Sequence, residues 1–161
     1  MADTLAVQDP VPRFDRMSEA GRTLAAGLSE AERTDRLVFL HSGAPWCSWC
    51  KRLELWLVRE DIQPIFGKEF VNVKIDIDEM AGGKALMDAY TGGYAGVPWL
   101  AILRPDGSVV ITSVAPNGQN IGSPIHAWEV EHWNTMMRKS VRRITEEEIA
   151  YMARTWAADR R

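Results

Sequence analysis

Leu37-Val38-Phe39-Leu40-His41-Ser42-Gly43-Ala44-Pro45-Trp46-Cys47-Ser48-Trp49-Cys50-Lys51 decides how this chain is read. Its first four residues form a continuous apolar run of strand length, the pattern of a strand covered on both faces. His41 to Pro45 leads from that run directly into the cysteine pair. From Cys47 to about Arg59 the spacing becomes helical, with Cys50, Leu53 and Leu57 on one inward stripe. A strand that feeds a tight turn into Cys-x-x-Cys at a helix start is a geometry suited to chemistry. The first N–H groups of a helix have no intrahelical partner, and the helix dipole is positive there. A thiolate on Cys47 would gain from both, which lowers its pKa and makes it nucleophilic near neutral pH. Cys50, one turn inward, would then be the resolving thiol that attacks a mixed disulfide formed on Cys47.

Outward from this segment, both directions alternate helix and strand. Arg13 to Arg33 reads as an amphipathic helix with Phe14, Met17, Gly21, Leu24 and Leu28 on one face. Val71 to Ile77 alternates apolar Val71, Val73, Ile75 and Ile77 with Asn72, Lys74 and Asp76, which predicts a strand. A short helix is expected at Lys84 to Tyr90, then strands at Trp99 to Leu103 and Val109 to Ile111. Arg104-Pro105-Asp106-Gly107 between those strands is a hairpin turn. Ala115 to Gly122 is a loop carrying Pro116-Asn117-Gly118. Ser123-Pro124 is expected to cap a helix that buries Val130, Trp133, Met137 and Val141. Thr145 and Glu148 form a capping box for a last helix with the stripe Ile149, Met152, Ala153 and Trp156. Trp56, Trp128, Trp133 and Trp156 fall mostly on such stripes and are expected in the core, with Trp99 the exception. The order of elements predicts an α/β layered fold.

At 161 residues the chain has the size of one domain. The expected division is an N-terminal helical extension over 1–34, a core over 35–115, and a loop with C-terminal helices over 116–161. The composition, 46% hydrophobic and 25% charged, is that of an ordinary globular protein. A net charge of -3 gives no electrostatic footprint for nucleic acid. Arg138, Lys139, Arg142, Arg143, Arg154, Arg160 and Arg161 are interspersed with Glu146, Glu147, Glu148 and Asp159, which reads as a solvated helical surface. No apolar run approaches the ~20 residues that a membrane span needs. Met1 to Pro12 lacks the basic and apolar regions of a signal peptide. The expected location is cytoplasmic if Met1 is the native start, and periplasmic or secreted if a leader was removed.

The chain has only two cysteines, which excludes a structural disulfide framework. A zinc site would need about four ligands, and besides the pair only His41, His126 and His132 are available as histidines. No metal and no cofactor is expected. Inert core thiols are the other competing reading, and the flanking turn with Trp46 and Trp49 argues against it.

Trp46-Cys47-Ser48-Trp49-Cys50-Lys51 after an apolar strand resembles the Trp-Cys-x-x-Cys-Lys active site of the thioredoxin superfamily. Lys74-Ile75-Asp76-Ile77-Asp78 is similar to the family's Lys-x-x-x-Asp strand end. Gly96-Val97-Pro98 looks like its cis-proline loop. The three motifs span about Leu37 to Thr112 in the family's order, and Cys-Ser-Trp-Cys looks more like bacterial DUF255-like and Thioredoxin_7 proteins than like small general thioredoxins. The resemblance implies a thioredoxin-like three-layer α/β/α sandwich with a mixed central sheet, plus an N-terminal helix and two C-terminal helices. It implies that Pro98 packs beside the cysteines, leaving the backbone of Val97 free to pair with an extended substrate segment. Trp46, Trp49, Val97 and Pro98 are thus the expected substrate contacts, with Trp99 at the edge of the groove.

One position departs from the family. His41 stands where thioredoxins usually carry a buried aspartate that assists the second cysteine. An imidazole can serve as a base, and a nearby Lys74 would hold it neutral. The expected function is therefore a thiol-disulfide oxidoreductase with Cys47, Cys50 and His41 as its catalytic residues. Its partners would be protein disulfides or dithiols and an unidentified electron donor or acceptor. Two other functions compete: a thioredoxin-fold binding module whose C-terminal helices dock a partner while the thiols regulate, and a metallochaperone using Cys47, Cys50 and His41.

Overall fold

Residues 11–93 and 96–158 are described by the computed structural model. The strands β1 (Leu37–Gly43), β2 (Phe70–Asp76), β3 (Leu100–Leu103) and β4 (Val109–Thr112) form one sheet in the order β2-β1-β3-β4. β1 runs parallel to β2, with Leu37 opposite Phe70 and Gly43 opposite Asp76. The β1–β3 and β3–β4 pairs are antiparallel, so the sheet is mixed. The helices α1 (Glu19–Thr34) and α4 (Gly83–Thr91) cover one face. The helices α2 (Ser48–Leu57), α3 (Gln63–Phe66), α5 (Ala127–Ser140) and α6 (Glu146–Ala158) cover the other. This is the three-layer sandwich that the motifs imply.

The period of two in β1 divides the core between the layers. Val38 and Leu40 pack with Leu24, Leu86 and Val73 beneath α1 and α4. Phe39 points the other way, with its ring centroid 4.9 Å from Phe66 and 5.9 Å from Trp133. All three residues are fully buried, and each such side chain contributes about 1.5–3 kcal/mol by leaving water. On α1, a Cβ at Gly27 would lie 2.3 Å from Val73 Cγ2, so this glycine is what lets the helix lie close against β2.

The first helix begins later than its apolar spacing suggests. Ser18 is its N-cap, accepting from Gly21 N at 3.0 Å, and Ser18 Oγ in turn donates to Asp15 O. Met17 consequently stands outside the helix and is 77% exposed, not buried as expected. β2 runs from Phe70 to Asp76, one residue earlier than expected. Val71, Val73 and Ile75 face α1, whereas Phe70, Asn72 and Lys74 share the side of α2. The short helix α3 was not foreseen.

α5 also starts later, at Ala127, and Ser123-Pro124 is not its cap. Glu129 Oε1 instead accepts from the backbone of Ile125 and His126, at 3.1 and 2.8 Å. Trp128, in the first turn, is 37% exposed, a correction to its expected place in the core. The last helix has the reciprocal Thr145–Glu148 cap that its sequence predicts. Arg142 and Arg143 lie in the α5–α6 connection rather than on a helix, and both pair with Asp35. Their backbone N–H groups and that of Ile144 converge on Oε1 of the buried Glu69. The reading of the N-terminus rests on residues 1–10, which lie outside the described residues, as do Asp159, Arg160 and Arg161.

Candidate active site

The site forms where β1 ends and α2 begins. Ser42 ties β1 to the segment before β3: its backbone N–H donates to Trp99 O at 3.0 Å, and its Oγ accepts from Trp99 N at 2.8 Å. Cys47, with φ -92° and ψ 104°, is the N-cap of α2. Its Sγ accepts from Cys50 N at 3.2 Å, so the sulfur sits on one of the helix's unpaired donors. Cys47 and Cys50 are joined as a disulfide, with Cα atoms 5.3 Å apart. Both are buried, Cys47 at 7% and Cys50 at 3% exposure, the first nearer to solvent.

The Val97–Pro98 peptide is cis. The carbonyl oxygen of Val97 lies 3.6 Å from Cys47 Sγ, so this segment borders the outer cysteine. Trp46 and Trp49 are 68% and 46% exposed and form an apolar rim. Trp46 is held by its indole N–H, which donates to Asp78 Oδ2 at 2.5 Å. Trp49 lies 6.0 Å from the Arg52 guanidinium. A cleft of about 330 Å³ opens beside Trp49 and Pro98, with Ile125 and His126 on its far wall. Trp99 is only 3% exposed and belongs to a smaller cleft on the other side of Val97.

His41 on β1 lies on the same side of the sheet as Asn72 and Lys74 of β2, both of which remain exposed. His41 is 3% exposed, and its Nε2 lies 2.8 Å from Asn72 Oδ1. An amide oxygen only accepts, so Nε2 carries the hydrogen and Nδ1 is the remaining acceptor of the neutral ring. Burial pushes the His41 pKa down to about 4, against the upward pull of Asn72 and Glu54, and Lys74 adds a smaller downward push. Desolvation thus outweighs the lysine that the sequence singles out. Lys74 itself pairs with Glu54 of α2. A Cβ on Gly43 would lie 2.9 Å from Lys74 Cε and 3.9 Å from Cys50 Cβ, so the glycine leaves room for the lysine stem to pass next to Cys50.

Glu54, Asn72, Arg52 and Asn120 escaped the sequence reading. Glu54 carried a signal, lying one helical turn after Cys50. Asn72 carried another, sharing a strand face with Lys74. Arg52 and Asn120 carried none, because their partners lie far along the chain.

A dithiol-disulfide pair at a helix N-terminus, bordered by a cis-proline, on a mixed sheet between helical layers, defines a thioredoxin-like thiol-disulfide oxidoreductase. The chain belongs to the Thioredoxin_7 family of thioredoxin-like proteins, whose pattern matches residues 19–105. It is similar to the disulphide isomerase from Xylella fastidiosa Temecula1, with 27% identity, 63% of this chain and 78% of that one covered, and a TM-score of 0.53. The oxidised C-terminal domain of Neisseria meningitidis DsbD matches with 24% identity over 59% of this chain and 82% of its own, TM-score 0.46. A poplar thioredoxin h matches with 20% identity over 74% and 92%, TM-score 0.49. No curated protein matches the sequence.

Proposed function

We propose that this protein exchanges disulfides with protein substrates, Cys47 acting as nucleophile and Cys50 as resolving thiol. The observation that carries this reading is the position of Cys47 Sγ, 3.2 Å from the Cys50 N–H and 3.6 Å from the Val97 carbonyl. The helix terminus favours the thiolate of Cys47, and the backbone of Val97 offers an extended substrate a pairing edge next to it. Pro98 has no N–H to compete for that edge. Trp46 and Trp49, both exposed next to the cysteines in sequence, supply apolar contact.

In the reductive direction the Cys47 thiolate attacks a substrate disulfide. A Cys47–substrate bond forms, the substrate S–S bond breaks, and the second substrate sulfur leaves as a thiolate that takes a proton from water. Cys50 loses its proton to the neutral imidazole of His41. Its thiolate then attacks Cys47 Sγ, closing the internal disulfide and releasing the reduced substrate. A thiol-based donor outside the chain returns the pair to the dithiol, and the oxidative direction reverses these steps. Potentials on this fold run from about −270 to about −120 mV, so equilibration with glutathione buffers decides the direction.

The order of attack is tested by trapping. Cys50→Ser should accumulate mixed disulfides with protein substrates under non-reducing electrophoresis, and Cys47→Ser should accumulate none. Equal trapping by the two variants would overturn the assignment.

A further inference from the structure

The chain after β4 reads as a plain loop in the sequence, yet it is a built turn. Ala115 N donates to Gln119 O, and Gly118 N, at a residue with φ +84°, donates to Ala115 O. Ile121 N then donates to Ser113 O, which closes the turn and brings Asn120 back beside the end of β4. From there the Asn120 amide reaches across to the segment that borders the disulfide. Its Nδ2 donates to Gly96 O and to Pro98 O, each at 3.1 Å. Its Oδ1 accepts from Ser113 Oγ at 2.7 Å and from Gly122 N at 3.1 Å.

All four hydrogen-bonding positions of the amide are occupied, and its orientation is fixed by them. A flipped amide would set Oδ1 against two carbonyls and Nδ2 against a backbone N–H. The two carbonyls held by Asn120 flank Val97, while the carbonyl of Val97 itself is turned to Cys47 Sγ. One edge of this segment is therefore anchored and the other faces the cysteines.

We propose that Asn120 is a positioning residue for substrate binding: by holding the carbonyls of Gly96 and Pro98, it fixes the direction in which Val97 presents its backbone to an extended peptide. This inference rests on the peptide-pairing role given to Val97 above. Asn120 touches neither cysteine, so its effect should fall on substrate affinity, not on thiol reactivity.

The test compares two substrates with one leaving group. One is a linear peptide whose single cysteine carries a 2-mercaptoethanol disulfide; the other is bis(2-hydroxyethyl) disulfide. Asn120→Asp keeps the shape but loses both donors. It should raise KM for the peptide about tenfold, the effect of two lost hydrogen bonds, with kcat changed less than about twofold. Asn120→Ala, which adds no charge, should show the same KM-weighted pattern. In both variants, alkylation of Cys47 by iodoacetamide should keep its wild-type pH profile, which also reports an intact fold around the thiol. An unchanged peptide KM, or equal losses with both disulfides, would overturn the proposal. A wild-type enzyme with no preference for the peptide would instead overturn the pairing role of Val97, and this inference with it. A wild-type preference that survives both substitutions sinks the Asn120 inference alone.

Discussion

His41 makes the stability of the fold depend on pH. It is buried, holds Asn72 through Nε2, and has its pKa pushed down to about 4. In the unfolded chain a histidine titrates near 6.5. As pH falls, the unfolded chain therefore binds a proton first. Stability is intact above about pH 6.5, declines through the window down to about 4, and loses no more from this group below that. Between pH 7 and pH 5 the loss should be about 2 kcal/mol. Urea unfolding of the oxidised protein at the two values measures it, and His41→Asn should remove most of the difference. The kinetic counterpart shifts as well. The sequence suggests that resolution of the mixed disulfide titrates in the ordinary histidine range, whereas burial keeps the ring neutral well below that range and at the same time makes it a weaker proton acceptor. His41→Ala should slow attack by Cys50 more than attack by Cys47, and His41→Asp should recover much of the rate. Wild-type resolution in His41→Ala would reduce His41 to a structural residue. The sequence showed that an ionisable group occupies this position, through its spacing from Cys47. It did not show what keeps the ring neutral, because burial is produced by elements distant in sequence.

Arg52 ties α2 to the segment before α5 and to the end of α6. Arg52 Nη1 donates to Ser123 Oγ and Pro124 O, each at 2.7 Å, and Nη2 donates to Trp156 O at 3.2 Å. Its guanidinium lies 4.9 Å from the Trp156 ring. Arg52→Met keeps the apolar stem and removes the donors, so it should lower the unfolding free energy by about 2 kcal/mol, in the range of a charged hydrogen bond lost at a partly buried site. Arg52→Lys should recover only part, because an ammonium cannot reproduce the fork. Denaturant midpoints at unchanged slope would measure both, and full recovery by lysine would mean that charge alone matters. The arginine also shows where the legibility of elements ends. β1, the turn and α2 were readable because each is specified by adjacent residues: an apolar run, Gly43 and Pro45, then a stripe at helical spacing. The start of α5 was misread for the opposite reason. Ser123 and Pro124 look like a cap, but they are engaged by Arg52, and the helix waits for Glu129 to satisfy its first donors.

On the scale of the whole molecule, α5 and α6 are inner parts of the fold. Trp56 of α2 stacks on Trp156 of α6 at 4.2 Å, and Trp133 of α5 meets Trp56 edge-on at 5.2 Å. The Trp56 indole N–H donates to Thr155 Oγ1 at 2.8 Å, so contacts of both kinds cross between the active-site helix and the last helix. A docking module built from the C-terminal helices would be expected to leave an apolar face for its partner. Here the stripe Ile149, Met152 and Trp156 is already covered, each residue at most 1% exposed. Through Trp56, the expected core over 35–115 packs directly against α5 and α6. Trp156→Ala should cost about 4 kcal/mol through lost burial and the cavity it leaves, a large share of the 5–15 kcal/mol that holds a typical domain together. Removal of residues 146–161 should therefore abolish the near-ultraviolet circular dichroism of the packed tryptophans and the cooperative thermal transition. It should also slow closure of the Cys47–Cys50 disulfide, because α2 would lose both Arg52's carbonyl partner on Trp156 and the ring beneath Trp56. A truncated chain that melts cooperatively and still exchanges disulfides at the full-length rate would show that the helices are an accessory to folding and exchange.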